Sequence, residues 1–441
     1  MISARIDSRA IWALAIPAML TNVATALIGI GDMWIVGRLG DAATQGAVDV
    51  GARLFALVFT VMNFLKTGTT GMVAQAGTRE GERAQAELLA RGLLVGVTIA
   101  ALLLLAKPIL LPLLLSALGA EGEVLRAARI YADIRYWSAP GVMANLALIG
   151  FLVGRRQVRT AMAIEIAYNL LNVGLGLWFV LGLGMGISGV AWSSFIAEYA
   201  KLALVGTLIL ASPAGRHLLG AARERAQFGL AALRPFLIVN RDLFLRTVVL
   251  MVSLAALTRL SAERGAVTLA ANGIIYQLFV FSALLLDGFE NAAQVLNGER
   301  KGAGDRAGFV AYVKAITQRG FVAALLLAGA FALFADPILA SFAATPAVRD
   351  AAQEMAPWLV LIPFAGVAGF VFDGVYVGAS WTRHLLFTML GGAAAYALAL
   401  WLTWPLGNHG LWASFTLFLV ARAVWQAALM GRLTRAEFDR P

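Results

Sequence analysis

Residues 11–37 read IWALAIPAMLTNVATALIGIGDMWIVG, and this stretch decides the fold class of the chain. It holds one charged side chain, Asp32, within 27 residues. A helix needs about 20 mainly apolar residues to cross a bilayer. The length of the stretch and its acidic residue distinguish it from the short apolar core of a cleaved signal peptide. The stretch therefore predicts a membrane-spanning helix.

Eleven similar stretches follow, many of them interrupted or closed by Gly and Pro, which membrane helices tolerate. They cover residues 45–77, 88–116, 124–153, 160–183, 187–211, 235–263, 266–297, 309–335, 348–379, 384–405 and 409–431. The sequence therefore predicts an all-α polytopic membrane protein with twelve transmembrane helices and no soluble domain.

The composition agrees with this fold class. Of the 441 residues, 60% are hydrophobic and 14% are charged, whereas soluble domains are about 45–50% apolar and about one quarter charged. The chain has no cysteine, and its three histidines lie far apart, so no familiar metal-binding pattern is present. The sequence also has no GxxxxGK[ST] motif and no recognisable catalytic constellation. We therefore expect no metal and no cofactor, and a transporter rather than an enzyme.

The formal net charge of +10 reflects membrane topology. With the N-terminus inside the cell, 19 loop Lys and Arg residues fall on the cytoplasmic side and 6 on the opposite side. Cytoplasmic loops of membrane proteins carry this excess. We expect a protein of the inner (plasma) membrane with both termini in the cytoplasm, and no nucleic-acid partner.

The chain repeats itself weakly. AQAGTREGERAQA at 74–86 resembles AQVLNGERKGAGDRA at 293–307, and GVAWSSF at 189–195 resembles GLWASF at 410–415. The repeat predicts two pseudo-symmetric six-helix lobes around a central cleft, which is a transporter design. Their predicted bounds are 1–211 and 235–441, joined by a cytoplasmic linker at 212–234.

Two polar stripes occur on helices of the first half. Thr25 and Asp32 lie near one line of the first helix, and Glu165, Asn169 and Asn172 lie along one face of the fifth. Ionisable residues inside a membrane usually face a cavity or a partner, so Asp32 is a candidate ion-coupling group. The alternatives are an interfacial Asp near a helix end and ordinary interhelical packing of the Asn side chains.

The second half has its own polar groups. Asp242 and Arg246 are four residues apart, and we expect them to form an ion pair on one helix face. Asp287 and Glu290 are three residues apart on the eighth helix, with Tyr276 eleven residues before Asp287. Two carboxylates this close do not both ionise easily in a low dielectric, which suits H⁺ or Na⁺ binding. Asp373 in the tenth helix is a further candidate.

The chain resembles the multidrug and toxic compound extrusion (MATE) family, and within it the DNA-damage-inducible F branch. The resemblance rests on five segments in the family's order. These are the first helix with its Asp, NFLKTGTTGMVAQA (63–76), VNRDLFLRTVVLM (239–251), LLLDGFENAAQ (284–294) and FVFDGVYVGA (370–379).

The resemblance implies cation-coupled export of bulky, usually cationic, organic compounds. Asp32 matches a first-helix Asp that serves proton coupling and substrate competition, and Asp373 matches a tenth-helix acid implicated in ion binding. Asn172 matches a fifth-helix Asn of an N-lobe network whose usual Asp, four residues on, is Gly176 here. This departure puts a complete N-lobe ion site in doubt.

The sequence thus predicts a secondary antiporter that exchanges H⁺ or Na⁺ for small organic substrates by alternating access. We expect it to function as a monomer in the lipid bilayer. The alternative is a lipid-linked precursor flippase of the same wider fold, although the Arg residues lie mostly in loops and argue against a strongly basic cavity.

Overall fold

The computed structural model describes the backbone of residues 6–37, 42–343 and 345–439, and all of their side chains except those of residues 27–45. These ranges form helices and connecting turns, without a strand. The helices of the first half are α1 (Ser8–Gly37), α2 (Ala42–Met62), α3 (Phe64–Arg79), α4 (Glu82–Ala117), α5 (Gly122–Arg135), α6 (Ala139–Gly154), α7 (Val158–Leu177), α8 (Gly186–Ala211) and α9 (Pro213–Arg223). Those of the second half are α10 (Leu230–Glu263), α11 (Ala266–Gly302), α12 (Arg306–Phe342), α13 (Pro346–Glu354), α14 (Ala356–Gly378), α15 (Thr382–Thr403) and α16 (Gly407–Phe438).

Eleven continuous stretches of the described residues are long and apolar enough to cross a membrane. The last of them, Thr382–Phe438, has 57 residues, far more than the roughly 20 that one crossing needs. It holds α15 and α16, which pack against each other and are joined by a 3₁₀ turn at Trp404–Leu406. Counted as two helices, this stretch brings the number of spans to twelve, which confirms the predicted fold class.

Three of the predicted spans are divided, and one of them is the tenth, which consists of α13 and α14 joined at Met355. The second consists of α2 and α3, which meet at Asn63, and the fourth consists of α5 and α6 with a 3₁₀ turn at Tyr136–Ser138 between them. Pro140 stands in the first turn of α6, where its missing N–H costs no helical hydrogen bond.

The described chain divides into two compact units. Unit 1 contains the residues up to Met19 and those from Arg241 onward, and unit 2 contains Leu20–Asn240. The segment 212–234, predicted as a linker, therefore lies inside unit 2. Its helix α9 packs on α4 and α8, and Arg83 of α4 forms an ion pair with Glu224 at 2.7 Å.

In unit 1, α14 packs closely on α11 through two glycines four residues apart. A Cβ at Gly374 would lie 2.1 Å from the carbonyl oxygen of Glu290, and one at Gly378 would lie 2.3 Å from that of Gln294. Small residues with this spacing let the backbones of membrane helices approach each other. The contact holds α14, and with it Asp373, beside the acidic part of α11.

Unit 2 has a similar contact between α6 and α3. A Cβ at Gly150 would lie 2.6 Å from the carbonyl oxygen of Lys66, and one at Gly154 would lie 2.8 Å from that of Thr70. The Thr70 hydroxyl also donates to the carbonyl oxygen of Gly150 at 3.1 Å. With the six spans of each half numbered one to six, α3 and α11 belong to the second spans, and α6 and α14 belong to the fourth spans. In each half, the fourth span packs on the second through a Gly-x-x-x-Gly pair.

Candidate ion-coupling site

The centre of the candidate site in unit 1 is Asp373, which is fully buried on α14. Its Oδ1 accepts a hydrogen bond from Nε2 of Gln426 at 2.6 Å, and its Oδ2 accepts one from Nη2 of Arg246. Nη2 of Arg422 forms an ion pair with the same Oδ2 at 3.2 Å. Three side chains from α10 and α16 therefore engage the two oxygens of one carboxylate.

Asp287 and Glu290 of α11 complete the group of charges. The backbone contact between Gly374 and Glu290 brings α11 next to Asp373, and both acids act electrostatically on Arg246 and Arg422. The structure thus brings together the three acids that the sequence singled out in this half. Their role in ion coupling stays a prediction.

The formal charges of this group do not balance. Asp287, Glu290 and Asp373 carry three negative charges when ionised, and Arg246 and Arg422 carry two positive charges. An uncompensated charge inside a membrane is costly, so a bound cation or proton would lower the free energy of the group.

The predicted ion pair between Asp242 and Arg246 is wrong. Arg246 binds Asp373, 127 residues away in sequence, whereas Asp242 accepts from Arg241 at 2.7 Å and from the Thr382 hydroxyl at 3.3 Å. A pair four residues apart on one helix is worth only about 0.2–0.5 kcal/mol. The buried carboxylate across the helix interface is the stronger partner in a low dielectric.

Sequence reasoning missed Arg422 and Gln426, although a signal was available. Both lie in the last membrane span, in FLVARAVWQAAL at 418–429, four residues apart on one helix face. Arg422 is 2% exposed and Gln426 is fully buried. The rule that selected the acids, an ionisable group within an apolar span, also selects Arg422.

Tyr276, predicted as part of the polar network, lies elsewhere in unit 1. It packs at the edge of an apolar cluster around Ile275, Phe279 and Phe415, with its ring centroid 6.0 Å from that of Phe279. Eleven residues of α-helix correspond to about 16 Å, so Tyr276 lies about three turns from Asp287.

In unit 2, the predicted stripe on α7 begins with an ion pair. Glu165 Oε1 lies 2.6 Å from Nζ of Lys201 on α8, and both side chains are largely buried. The same Nζ lies 4.8 Å from the ring centroid of Tyr168, a cation–π contact. Lys201 was not singled out from the sequence, although it is the only Lys or Arg in the span 187–211.

The rest of the stripe has unused hydrogen-bonding capacity. Asn169 and Asn172 are 7% and 3% exposed. Both amide atoms of Asn169 and Oδ1 of Asn172 have no hydrogen-bond partner among the described residues. Gly176 is buried one turn further along α7 and supplies no acid.

The first-helix stripe is described only in part. The Thr25 hydroxyl donates to the main-chain oxygen of Thr21 at 2.9 Å and so stays within its own helix. Asp32 lies in α1 within the stretch 27–45, whose side chains are outside the described residues. Its role in ion coupling therefore stays a prediction.

A second buried acid of unit 2 also escaped the sequence analysis. Glu198 of α8 is 7% exposed, and Asn145 of α6 is 2% exposed. Nδ2 of Asn145 donates to the Oε1 of Glu198 at 2.7 Å and to its main-chain oxygen at 3.0 Å. This contact joins the fourth and sixth membrane spans of unit 2.

Comparison with known families and proteins adds to this geometry. The MatE family model matches residues 17–178 and again residues 243–400, once in each half of the chain. The second match contains Arg246, Asp287, Glu290 and Asp373, and the first contains Asn145 and Glu165. Glu198 and Arg422 lie outside the matched ranges.

Curated relatives align with nearly the whole chain. DNA damage-inducible protein F of Escherichia coli (strain K12) is 34% identical over 428 residues, which cover 97% of this chain and 92% of the relative. Probable multidrug resistance protein NorM of Rhizobium meliloti (strain 1021) is 26% identical and covers 97% and 91%, respectively.

Solved structures share the fold. A crystal structure of MATE in the bent conformation has a TM-score of 0.85 at 18% identity, with 97% of this chain and 96% of that chain covered. An outward-facing multidrug resistance MATE family transporter of the MOP superfamily has a TM-score of 0.84 at 17% identity, with 98% and 97% covered.

Proposed function

This chain belongs to the MatE family of membrane transporters, and from that membership we propose that it is a secondary antiporter. It exports bulky, cationic or amphipathic organic compounds in exchange for H⁺ or Na⁺, by alternating access. The multidrug resistance names of related proteins support this substrate class.

The observation that carries the proposal is the uneven charge count of the buried group in unit 1. Among the side chains named above, the formal count is three carboxylates against two guanidinium groups within apolar helices. One coupling cation balances the excess negative charge, and so does the positive charge of a substrate. The coupling cation and the cationic substrate compete for this one negative charge, because binding of either cation cancels the attraction for the other. Competition between the two ligands couples export of the substrate to uptake of the coupling cation.

Each residue of the group has a distinct part in this proposal. Asp287 and Glu290 receive the H⁺ or Na⁺. Asp373 is a fixed anion that orients Arg246 and Arg422. Loading of the cation lowers the cost of enclosing the group, which permits the change of access that releases substrate on the other side of the membrane.

In unit 2, we propose that Asp32 and Asn172 take part in ion coupling. The family resemblance gives Asp32 a role in proton coupling, and the unpartnered Oδ1 of Asn172 is a buried acceptor on the matching helix. Asp32→Asn is nearly isosteric and cannot titrate, so we expect it to abolish coupled efflux without loss of the folded protein.

Efflux from proteoliposomes tests the proposal. Purified protein is reconstituted with a fluorescent lipophilic cation inside, and inward gradients of H⁺ and of Na⁺ are imposed separately. We expect one of the two gradients to drive efflux, and Asp287→Asn to remove or reverse that dependence. Asp336→Asn, an exposed acid of α12, is the matched control and should behave as the wild type.

Two results would contradict the proposal. Normal gradient dependence in purified Asp287→Asn, and also in Glu290→Gln, would remove the acids of α11 from coupling. Absence of efflux with either gradient, together with translocation of a lipid-linked pyrophosphate headgroup in the same vesicles, would favour the flippase alternative.

A further inference from the structure

We infer that Glu198 of unit 2 is a proton-binding site and that Asn145 senses whether the proton is bound. The part of this inference that concerns transport rests on the proposed function. The part that concerns proton binding rests on the geometry around Glu198 alone.

The two side chains are held together in a buried contact between α6 and α8. Nδ2 of Asn145 donates to both the carboxylate and the main-chain oxygen of Glu198. Because both of these oxygens accept hydrogen bonds, the NH₂ group of the Asn145 amide, and not its oxygen, must face Glu198. Gly141, one turn earlier on α6, leaves room for the acid, because a Cβ there would lie 3.2 Å from Cγ of Glu198.

The other end of the same amide lacks a partner. Oδ1 of Asn145 is buried and accepts no hydrogen bond. Buried polar atoms are almost always hydrogen-bonded, so an exception of this kind calls for an explanation. An ionised carboxylate only accepts hydrogen bonds, whereas a protonated carboxyl group also donates one. A proton on Glu198 supplies the donor that Oδ1 of Asn145 needs.

The charged and titratable groups around Glu198 come from three helices. They are Tyr168 and Glu165 of α7, Lys201 and Tyr199 of α8, and Arg135 of α5, whose field reaches Tyr168. Lys201 is already bound to Glu165 at 2.6 Å. Arg135 lies against the ring of Phe55 at 5.2 Å. Glu198 itself receives the neutral amide of Asn145 from α6, shares a hydrogen bond with the Tyr168 side chain of α7, and interacts electrostatically with Lys201.

This arrangement couples protonation to helix packing. With Glu198 ionised, α6 and α8 are joined by the donor side of Asn145 only, and one buried acceptor stays unsatisfied. With Glu198 protonated, an acid–amide pair of two hydrogen bonds joins the helices. The proton therefore tightens the contact between the fourth and sixth spans of unit 2.

Infrared difference spectra between high and low pH test proton binding on the purified wild-type protein. We expect a protonated-carboxyl band that is absent from Glu198→Gln. Glutamine keeps both hydrogen bonds to Asn145, so this variant should fold. Asn145→Leu should shift the band, because the acid loses its acceptor. Asp336→Asn, the exposed control, should leave the band unchanged. Identical spectra in wild type and Glu198→Gln would overturn the inference.

If Glu198→Gln does not fold, the Asn145→Leu spectrum tests the inference. A band with unchanged frequency in Asn145→Leu would overturn the sensing role. The spectra require no transport, so the inference and the proposed function can fail separately. A Glu198 band without gradient-driven efflux would contradict the proposed function alone, and gradient-driven efflux without the band would contradict this inference alone.

Discussion

The fourth and sixth membrane spans are joined by a buried carboxylate in both units, but the carboxylate is bound by different side chains in each. In unit 1, Asp373 of the fourth span meets the cations Arg246 and Arg422. In unit 2, Glu198 of the sixth span meets the neutral amide of Asn145. One scaffold, present in two related halves, thus holds one acid with its charges compensated and one acid with an uncharged partner.

The difference indicates how duplicated lobes can divide their tasks. A carboxylate between two guanidinium groups is costly to remove, because its loss leaves both cations buried without a partner. A carboxylate beside an amide can gain or lose a proton and keep at least one hydrogen bond in each state. We therefore expect substitutions in the two contacts to affect stability very differently.

The largest difference should appear when each acid is replaced by its amide. Asp373→Asn should lower the free energy of unfolding by about 3–5 kcal/mol, because Arg246 and Arg422 lose their shared anion. Glu198→Gln should cost less than about 1.5 kcal/mol, because glutamine preserves both hydrogen bonds to Asn145. Thermal unfolding in detergent measures both. Equal losses would remove the distinction between the two contacts.

A second difference should appear at the glycines of the fourth spans. A Cβ at Gly374 would lie 2.1 Å from a backbone oxygen, and one at Gly150 would lie 2.6 Å from another. Gly374→Ala and Gly150→Ala should each cost about 1–3 kcal/mol through overpacking, with the larger loss at Gly374. Gly374→Ala should also alter the cation dependence of efflux, because Asp373 is its neighbour.

Gly174→Ala is the matched control for these glycines, since a Cβ at Gly174 has open space around it. Its melting temperature should equal or slightly exceed that of the wild type. A similar loss in all three variants would mean that the close helix contacts are not the cause.

The smallest difference should come from two tyrosines that also join the fourth and sixth spans. The Tyr376 hydroxyl donates to the main-chain oxygen of Gln426 at 2.7 Å in a buried site, and the Tyr199 hydroxyl donates to that of Trp137 at 2.9 Å in an exposed one. Tyr376→Phe should cost about 0.5–1.5 kcal/mol, and Tyr199→Phe less, because the lost hydrogen bond is buried within the protein only at Tyr376. A larger loss in Tyr199→Phe would reverse the expected order.

The sequence predicted the fold well because its signal is averaged over long segments. Each span contains 20 or more residues of mainly apolar character, so a few polar residues do not obscure it. The rule of intramembrane charge also selected Asp287, Glu290 and Asp373 as candidates, although it did not place them together. These features depend on residue type and local period, which the sequence contains directly.

The partners within the site were harder to predict. Arg246 was assigned to Asp242 because the two are close in sequence, yet its partner lies on another helix. Glu198 and Lys201 were also missed, although they lie three residues apart in one apolar span and the rule of intramembrane charge selects both. A side chain's choice of partner depends on helix rotation and burial, which are set by packing across the whole unit.

The uncharged partner of Glu198 has an energetic consequence for transport. With one proton taken up in unit 1 alone, exchange for a monovalent cation is electroneutral, and the membrane potential contributes nothing. If Glu198 carries a further proton across the membrane in each cycle, the exchange moves one more positive charge inward. At 100 mV this adds about 2.3 kcal/mol, enough for a roughly 50-fold steeper substrate gradient.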